Sequence, residues 1–342
     1  MDKVAVVILS WNGKEMLRSF LPSVLRHSEG EAVVYVADNG STDDSLQVLA
    51  NEFPTVKVIP LNKNYGFADG YNRALNQVEA EYVVLLNSDV EVTEHWLSPL
   101  VSFMDTHPEV AACQPKIRSW HNRESFEYAG AAGGFIDRYG YPFCRGRIFN
   151  TLENDHGQYN EPLPVFWATG AAMFIRLKDY REAGGLDGRF FAHMEEIDLC
   201  WRLNARGRGV WCLPESVVYH VGAATLKREN PQKTFLNFRN NLLMLYKNLP
   251  DNELKPVMHW RCFFDYVAML SFLLKGQFPN AWAVRRARKA YHHLRPDFFL
   301  SRQVNMVAAV HHSLQTRWNK NLLWAYYAQA RHTFAALSLF TR

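Results

Sequence analysis

Val4-Ala5-Val6-Val7-Ile8-Leu9 is an unbroken apolar run, the pattern of a strand buried on both faces. The apolar spacing from Lys14 to His27 predicts a helix. Val33 to Ala37 reads as a second strand and ends in Asp38-Asn39-Gly40-Ser41-Thr42-Asp43, a turn cluster that also suits the cap of a helix from Asp43 to Phe53. Val56 to Ile59 is a third strand, Ala68 to Val78 a third helix, and Tyr82 to Leu86 a fourth strand running into Asn87-Ser88-Asp89. Strand and helix in this alternation predict an open, mostly parallel sheet with helices on both faces. Ligands of such sheets bind at the carboxyl ends of the strands, and the polar clusters 10–13, 38–43 and 87–89 all fall there.

The pattern loosens from about 115 to 165, where Gly130 to Gly134 and scattered Pro and Asn predict irregular loops. Order returns at Val165 to Arg176, with a helix from His193 to Arg206 and short strands at Val210 to Leu213 and Val217 to Tyr219. From Thr234 the chain reads as helical and basic to its end.

Composition narrows the class. The 342 residues are 48% hydrophobic and 21% charged, which excludes wholesale disorder and allows a sizeable core. Five cysteines without CxxC spacing point to reduced thiols in a cytoplasmic protein rather than to disulfides or zinc. The start shows no basic segment or cleavage site of a secretory signal. Apolar stretches free of charge fall short of the roughly 18–20 residues that cross a bilayer. The net charge of +4 conceals a split: residues 1–226 hold 20 Lys and Arg against 29 Asp and Glu, and residues 227–342 hold 18 against 5. A basic tail favours a polyanion, either nucleic acid or an anionic membrane face.

Four clusters carry candidate chemistry. In Leu9-Ser10-Trp11-Asn12-Gly13 an aromatic stands where it can stack on a base. Asp38 ends strand two, where a carboxylate can accept the imide N–H of uracil or thymine. In the segment 62–73, NKNYGFADGYNR, glycines at a helix mouth let backbone N–H groups approach an anion; the spacing is neither GxGxxG nor GxxxxGK[ST]. Asn87-Ser88-Asp89 offers a carboxylate at a sheet edge, suited to a divalent cation shared with substrate phosphates. Each cluster also has a plain reading as a turn or helix cap, so none decides the function alone.

Taken in order, VVILSWNG, VVYVADNGSTDDS, NKNYGFADGYNRAL, YVVLLNSDVEV, FFAHMEEIDLCWRLNARG and VVYHVG resemble the glycosyltransferase family 2 enzymes of the GT-A fold, most of all their rhamnosyltransferase-like branch. The resemblance covers about residues 4–222. It implies a Rossmann-like, mostly parallel sheet over 1–226 and a C-terminal helical region over 227–342. It implies an inverting transfer of sugar from a UDP- or dTDP-linked donor to a hydroxyl of a glycan or lipid-linked glycan, in cell-surface polysaccharide synthesis. By position, Ser10, Trp11, Asn12, Asp38, Asn64, Gly66, Asn72 and Ser88 would contact the nucleotide. Asp89 and His220 would bind a divalent cation, Mn2+ or Mg2+, with Asn87 standing where the family's DxD-type motif has its first acid. Glu196 matches the usual base, although a Glu replaces the family's Asp, so Glu195 stays open as the alternative. A helix dipole would keep either acid ionised. Asp198, four residues before Arg202, is expected to pair with it. Trp167, Thr169 and Gly170 should lie at the acceptor side.

Two other readings stay open. One is a nucleotidyltransferase, which would want a more basic phosphate loop after strand one. The other is a membrane-binding module with an inactive catalytic domain. In the tail, Cys262 to Leu274 is aromatic-rich and apolar and is followed by Arg285, Arg286, Arg288 and Lys289. It reads as an interfacial membrane anchor, a packed subdomain or a dimer interface. Nucleic acid lacks a matching motif. The oligomeric state is left open.

Overall fold

The structure, a computed structural model, describes residues 2–222 and 230–339. The first half alternates as its pattern predicts. Strand β1 (Asp2–Ser10) leads to α1 (Lys14–Ser28), β2 (Val33–Asp38), α2 (Ser45–Glu52), β3 (Lys57–Pro60), α3 (Gly66–Leu75) and β4 (Ala80–Asn87). The run continues with β5 (Val90–Val92), α4 (Ser98–Thr106) and β6 (Val110–Ser119). Short strands follow at β7 (Gly134–Asp137), β8 (Pro142–Cys144), β9 (Arg147–Ile148), β10 (Thr151–Leu152) and β11 (Leu163–Pro164). After them come β12 (Ala172–Arg176), α5 (Leu177–Glu182), α6 (Glu195–Ala205) and β13 (Gly209–His220).

The main sheet runs β11-β13-β6-β12-β4-β1-β2-β3, with β5 paired to β13. β1 lies parallel to β2 and β4, and β12 enters antiparallel between β4 and β6. Alternate residues of β1 serve two cores: Ala5 and Val7 pack on one face, and Val4, Val6 and Ile8 on the other. That is why the strand has no polar side.

β13 is one strand rather than the two expected. Its register against β6 shifts between Leu213 and Val217, so Pro214 and Glu215 sit in an irregularity that spares the ladder a missing N–H. The stretch expected as loops holds a second sheet, β10-β9-β8-β7, joined by β14 (Arg317–Trp318). Gly134 in β7 has a specific cause: a Cβ there would sit 2.0 Å from the Trp167 ring.

The tail forms α7 (Pro231–Asn248), α8 (Asp251–Leu274), α9 (Phe278–Leu294) and α10 (Phe299–Ala308). It does not stay helical to the end. After α10 the chain returns through β14, and Leu322 donates its N–H to Asp137 at 2.9 Å, while Phe334 packs on Phe135 and Phe143. The boundary expected at 226/227 lies outside the described residues. None of the five cysteines is disulfide-bonded.

Candidate active site

Parallel pairing aligns Ser10 with Asp38 at the carboxyl ends of β1 and β2. Both are buried. One Asp38 oxygen accepts the Ser41 N–H at 3.1 Å, while its Oδ1 and the Ser10 hydroxyl have no partner. Unpartnered buried polar atoms call for an explanation, and a ligand at this strand end supplies one. Trp11 beside them is half exposed, with its ring free to stack.

Asn12 plays another part. With φ at 49°, it accepts the Thr42 N–H at 2.7 Å and donates its own N–H to the Ser41 hydroxyl at 2.9 Å. Its amide ties two loops together. Asn64 Oδ1 accepts the Gly66 N–H at 2.8 Å, and buried Asn39 clamps the same turn, donating to the Gly66 carbonyl and accepting from the Tyr65 N–H. Gly66 has φ 74°, and a Cβ there would meet the Phe191 ring at 2.8 Å. Asn72, expected at the nucleotide, has its side-chain amide bonded within the protein. It donates to the Leu186 carbonyl at 2.7 Å and accepts from the Leu186 N–H and the Tyr180 hydroxyl, so it positions the loop before α6.

At the end of β4, Asn87 and Ser88 are half-buried and Asp89 is buried. Antiparallel pairing of β5 with β13 brings His220 opposite Val90 and sets its Nε2 3.1 Å from Asp89 Oδ1. The other ring nitrogen lies 3.2 Å from Glu127. Burial alone would lower the His220 pKa; the hydrogen bonds and charges of Asp89 and Glu127 outweigh it and raise it to about 10. Burial likewise works to raise Asp89, and the bond to His220 holds it below its ordinary value.

The third part is the start of α6. Phe191, His193 and Met194 all have positive φ, so the chain enters the helix through a strained turn. Glu195 is buried and Glu196 half-buried, and each has an Oε2 without a partner. Burial pushes both acids above the ordinary carboxylate value, with Glu196 adding to the rise at Glu195 and backbone N–H groups offsetting part of it. Burial thus works against the helix N-terminus expected to keep them ionised. His193, two residues earlier, also has an unpartnered Nε2 and is held neutral, its pKa lowered to about 4 by burial and then by Lys233.

Contacts stitch these parts to one edge. The Asn87 N–H donates to the Ala171 carbonyl at 3.0 Å, and a Cβ on the adjoining Gly170 would lie 3.8 Å from the Glu196 Cβ. Gly170 thus sits beside the candidate base. Thr169 is buried and committed, its N–H donating to Gln114 and its hydroxyl accepting the Ala171 N–H. Trp167 is a correction to the acceptor-side reading: it is 3% exposed, donates to the Phe135 carbonyl and fills the core.

Asp198 makes the expected pair with Arg202 at 2.9 Å and also receives Lys247 of α7 at 2.8 Å; Lys247 reaches Asp187 at the same distance. Four contributors escaped the sequence reading: Glu127, Asn39, His193 and Lys247. Glu127 lies in a stretch without periodicity. Lys247 was detectable in principle, since Asn240, Asn241, Lys247 and Asn248 put polar groups on the buried face of α7, a sign of buried pairing.

An open, mostly parallel sheet with an unpartnered acid at β2, an acid–histidine pair at β4 and β13, and acids on a facing helix has the architecture of a GT-A glycosyltransferase. Residues 5–180, just over half of the chain, match the family model described as Glycosyl transferase family 2, and the chain belongs to that family. An N-acetylglucosaminyl-diphospho-decaprenol L-rhamnosyltransferase of Mycobacterium tuberculosis is 26% identical over 246 residues, 67% of this chain and 79% of that protein. The low-salt glycan biosynthesis hexosyltransferase Agl10 of Haloferax volcanii is 22% identical, covering 71% of this chain and 75% of its own length. Among solved structures, S. aureus TarS 1-349 has the same fold at 16% identity and TM-score 0.53, over 90% of this chain and 88% of that one. GalNAc-T7 with UDP, GalNAc and Mn2+ matches at TM-score 0.58 and 16% identity over 74% of this chain, which spans about half the length of that protein. The activity is glycosyl transfer in glycan synthesis; the nucleotidyltransferase and inactive-module readings fall away.

Proposed function

We propose that the enzyme is an inverting transferase in which Glu196 is the base, acting on a UDP- or dTDP-linked sugar and a lipid-linked glycan hydroxyl at the cytoplasmic membrane surface. One observation carries it: Glu196 has a buried carboxylate oxygen without a partner, one contact away from the strand end that bears Asp89. A pyrimidine imide N–H matches the free Asp38 oxygen, and the adjoining carbonyl matches the Ser10 hydroxyl. The lipid-linked acceptor is supported by the acceptor named for the M. tuberculosis relative.

The residues at β4 and β13 suit a divalent cation. Asp89 offers an oxygen, and His220 beside it would offer its Nε2 only by giving up the proton that the raised pKa keeps there; Glu127, 3.2 Å from the far ring nitrogen, stands where a carboxylate could support a metal-bound histidine. No cluster of three ligating side chains occurs among the described residues, so diphosphate oxygens and water would complete the shell of Mn2+ or Mg2+. Such an ion, when bound, stabilises the charge of the leaving diphosphate. Glu196 takes the acceptor hydroxyl proton as that oxygen bonds to the anomeric carbon. The bond to the diphosphate breaks on the opposite face, and its electron pair leaves with the diphosphate. A single displacement inverts the centre and requires one base.

The test is NMR of UDP- and dTDP-sugar turnover, with Mn2+ and with chelator. Inversion at the anomeric carbon and loss of turnover in chelator are expected. A retained configuration contradicts the single displacement, and full turnover in chelator contradicts the metal role.

A further inference from the structure

Helix α8 is built inside out. Toward the protein it turns Arg261 and Asp265, both buried. Arg261 donates to the Tyr139 carbonyl and to Asn241, and Asp265 pairs with Arg261 at 3.1 Å and with Arg288 of α9 at 2.6 Å. Toward the outside it presents Trp260, Phe263, Val267, Leu270 and Leu274, each at least half exposed. Their three- and four-residue spacing makes one continuous stripe. An ordinary surface helix has the reverse polarity, so water is the wrong medium for this face.

The flanking charge indicates the medium. No Asp or Glu occurs between Asp265 and Asp297. Lys275, Arg285, Arg286 and Lys289 are exposed, and none forms an ion pair among the described residues. Arg288, grouped with them on sequence, is spent on Asp265. Phe278 and Trp282 are more than half exposed on α9, and Arg285 stands over the Trp282 ring. Apolar and aromatic groups rimmed by unpaired cations complement an anionic lipid surface.

We propose that the α8–α9 hairpin docks this face into an anionic bilayer, lying in the interface plane. α8 has the length to span: 24 residues with mean hydropathy 1.2 over its most apolar window, although the apolar run from Cys262 to Leu274 within it carries Asp265. Spanning would tear Arg261 and Asp265 from their partners and place them in hydrocarbon, where unpaired charge is costly. Lying flat keeps every buried pair. The inference rests on the proposed lipid-linked acceptor for its purpose only: docking would bring the active site to that substrate, and its failure leaves the transfer chemistry untouched.

The experiment is flotation of the full chain with phosphatidylcholine vesicles, with and without phosphatidylglycerol. Binding is expected on the anionic vesicles at low salt, released by carbonate extraction. Phe263→Glu with Leu270→Glu should abolish it, and Arg285→Gln, Arg286→Gln and Lys289→Gln together should weaken it by about two orders of magnitude, at about fivefold per cation. Thermal unfolding and turnover of soluble donor should stay at the parent's values in both variants. Three results overturn the proposal: no flotation on anionic vesicles at low salt, resistance to carbonate, or a dimer in solution that Phe263→Glu with Leu270→Glu dissolves while vesicle binding is nil.

Discussion

Asp38 keeps one oxygen and Ser10 keeps its hydroxyl out of every hydrogen bond the fold offers. Leaving buried groups unsatisfied costs about 1–3 kcal/mol each, and the proposed pyrimidine would recover that cost. Asp38→Asn removes the charge and half the acceptor capacity at constant shape. UDP should bind about 10- to 100-fold more weakly by calorimetry, as expected for loss of a charged hydrogen bond; unchanged affinity would place the base elsewhere. At Glu196 the sign of the pH effect is set by burial, which raises its pKa. The base works only when ionised, so turnover should fall with acid along a limb above the ordinary 4.5. A Glu196→Gln variant should lack that limb. Asn12, Asn72 and Trp167 show where residue roles were not readable from order along the chain. Each lies in the expected segment, but a side chain's direction depends on partners such as Thr42, Leu186 and Phe135, which are distant in sequence.

α6 and α7 meet through Lys247, which bridges Asp187 and Asp198. Lys247→Met leaves two buried carboxylates short of a cation and should cost about 3–5 kcal/mol in urea unfolding. Burial acts to raise the Asp187 carboxyl, and Arg189 and Lys247 reverse it, holding it below the ordinary 3.8. Its contribution is therefore complete above that value and lost as pH falls. The stability gap between parent and variant should be widest near neutrality and narrow in acid; a gap independent of pH would refute the bridge. Strands β1, β2 and β4 were readable because each is a nearly continuous apolar run that ends in a polar turn cluster, and the edge strand β3 because its short apolar run lies between turns. β13 was split because Pro214 and Glu215 interrupt its run, and only the pairing with β6 shows one strand carrying a bulge. The short strands β7 to β10 have two to four residues each, too few to show a period.

The whole molecule is less divided than its charge suggests. The tail supplies a second cation to Asp198, beside Arg202, and residues past α10 complete the second sheet. Tail charge and helical spacing gave no sign of this return, since β14 has two residues and its register is set by β7. Deleting residues 309–342 uncovers Phe135 and Phe143 and strips the Leu322 N–H from buried Asp137. The shortened chain should lose cooperative thermal unfolding by circular dichroism; an unaltered midpoint would make the segment an appendage.

The central claim is that Glu196, at the edge shared with Asp89, removes the acceptor proton. Donor affinity and turnover measured side by side for Glu196→Gln and Glu195→Gln test it most directly. The account predicts parent-like UDP affinity in both, turnover reduced by about 10²–10⁴ in Glu196→Gln, and a smaller loss in Glu195→Gln. Normal turnover in Glu196→Gln together with its loss in Glu195→Gln would contradict the assignment and move the base one residue back.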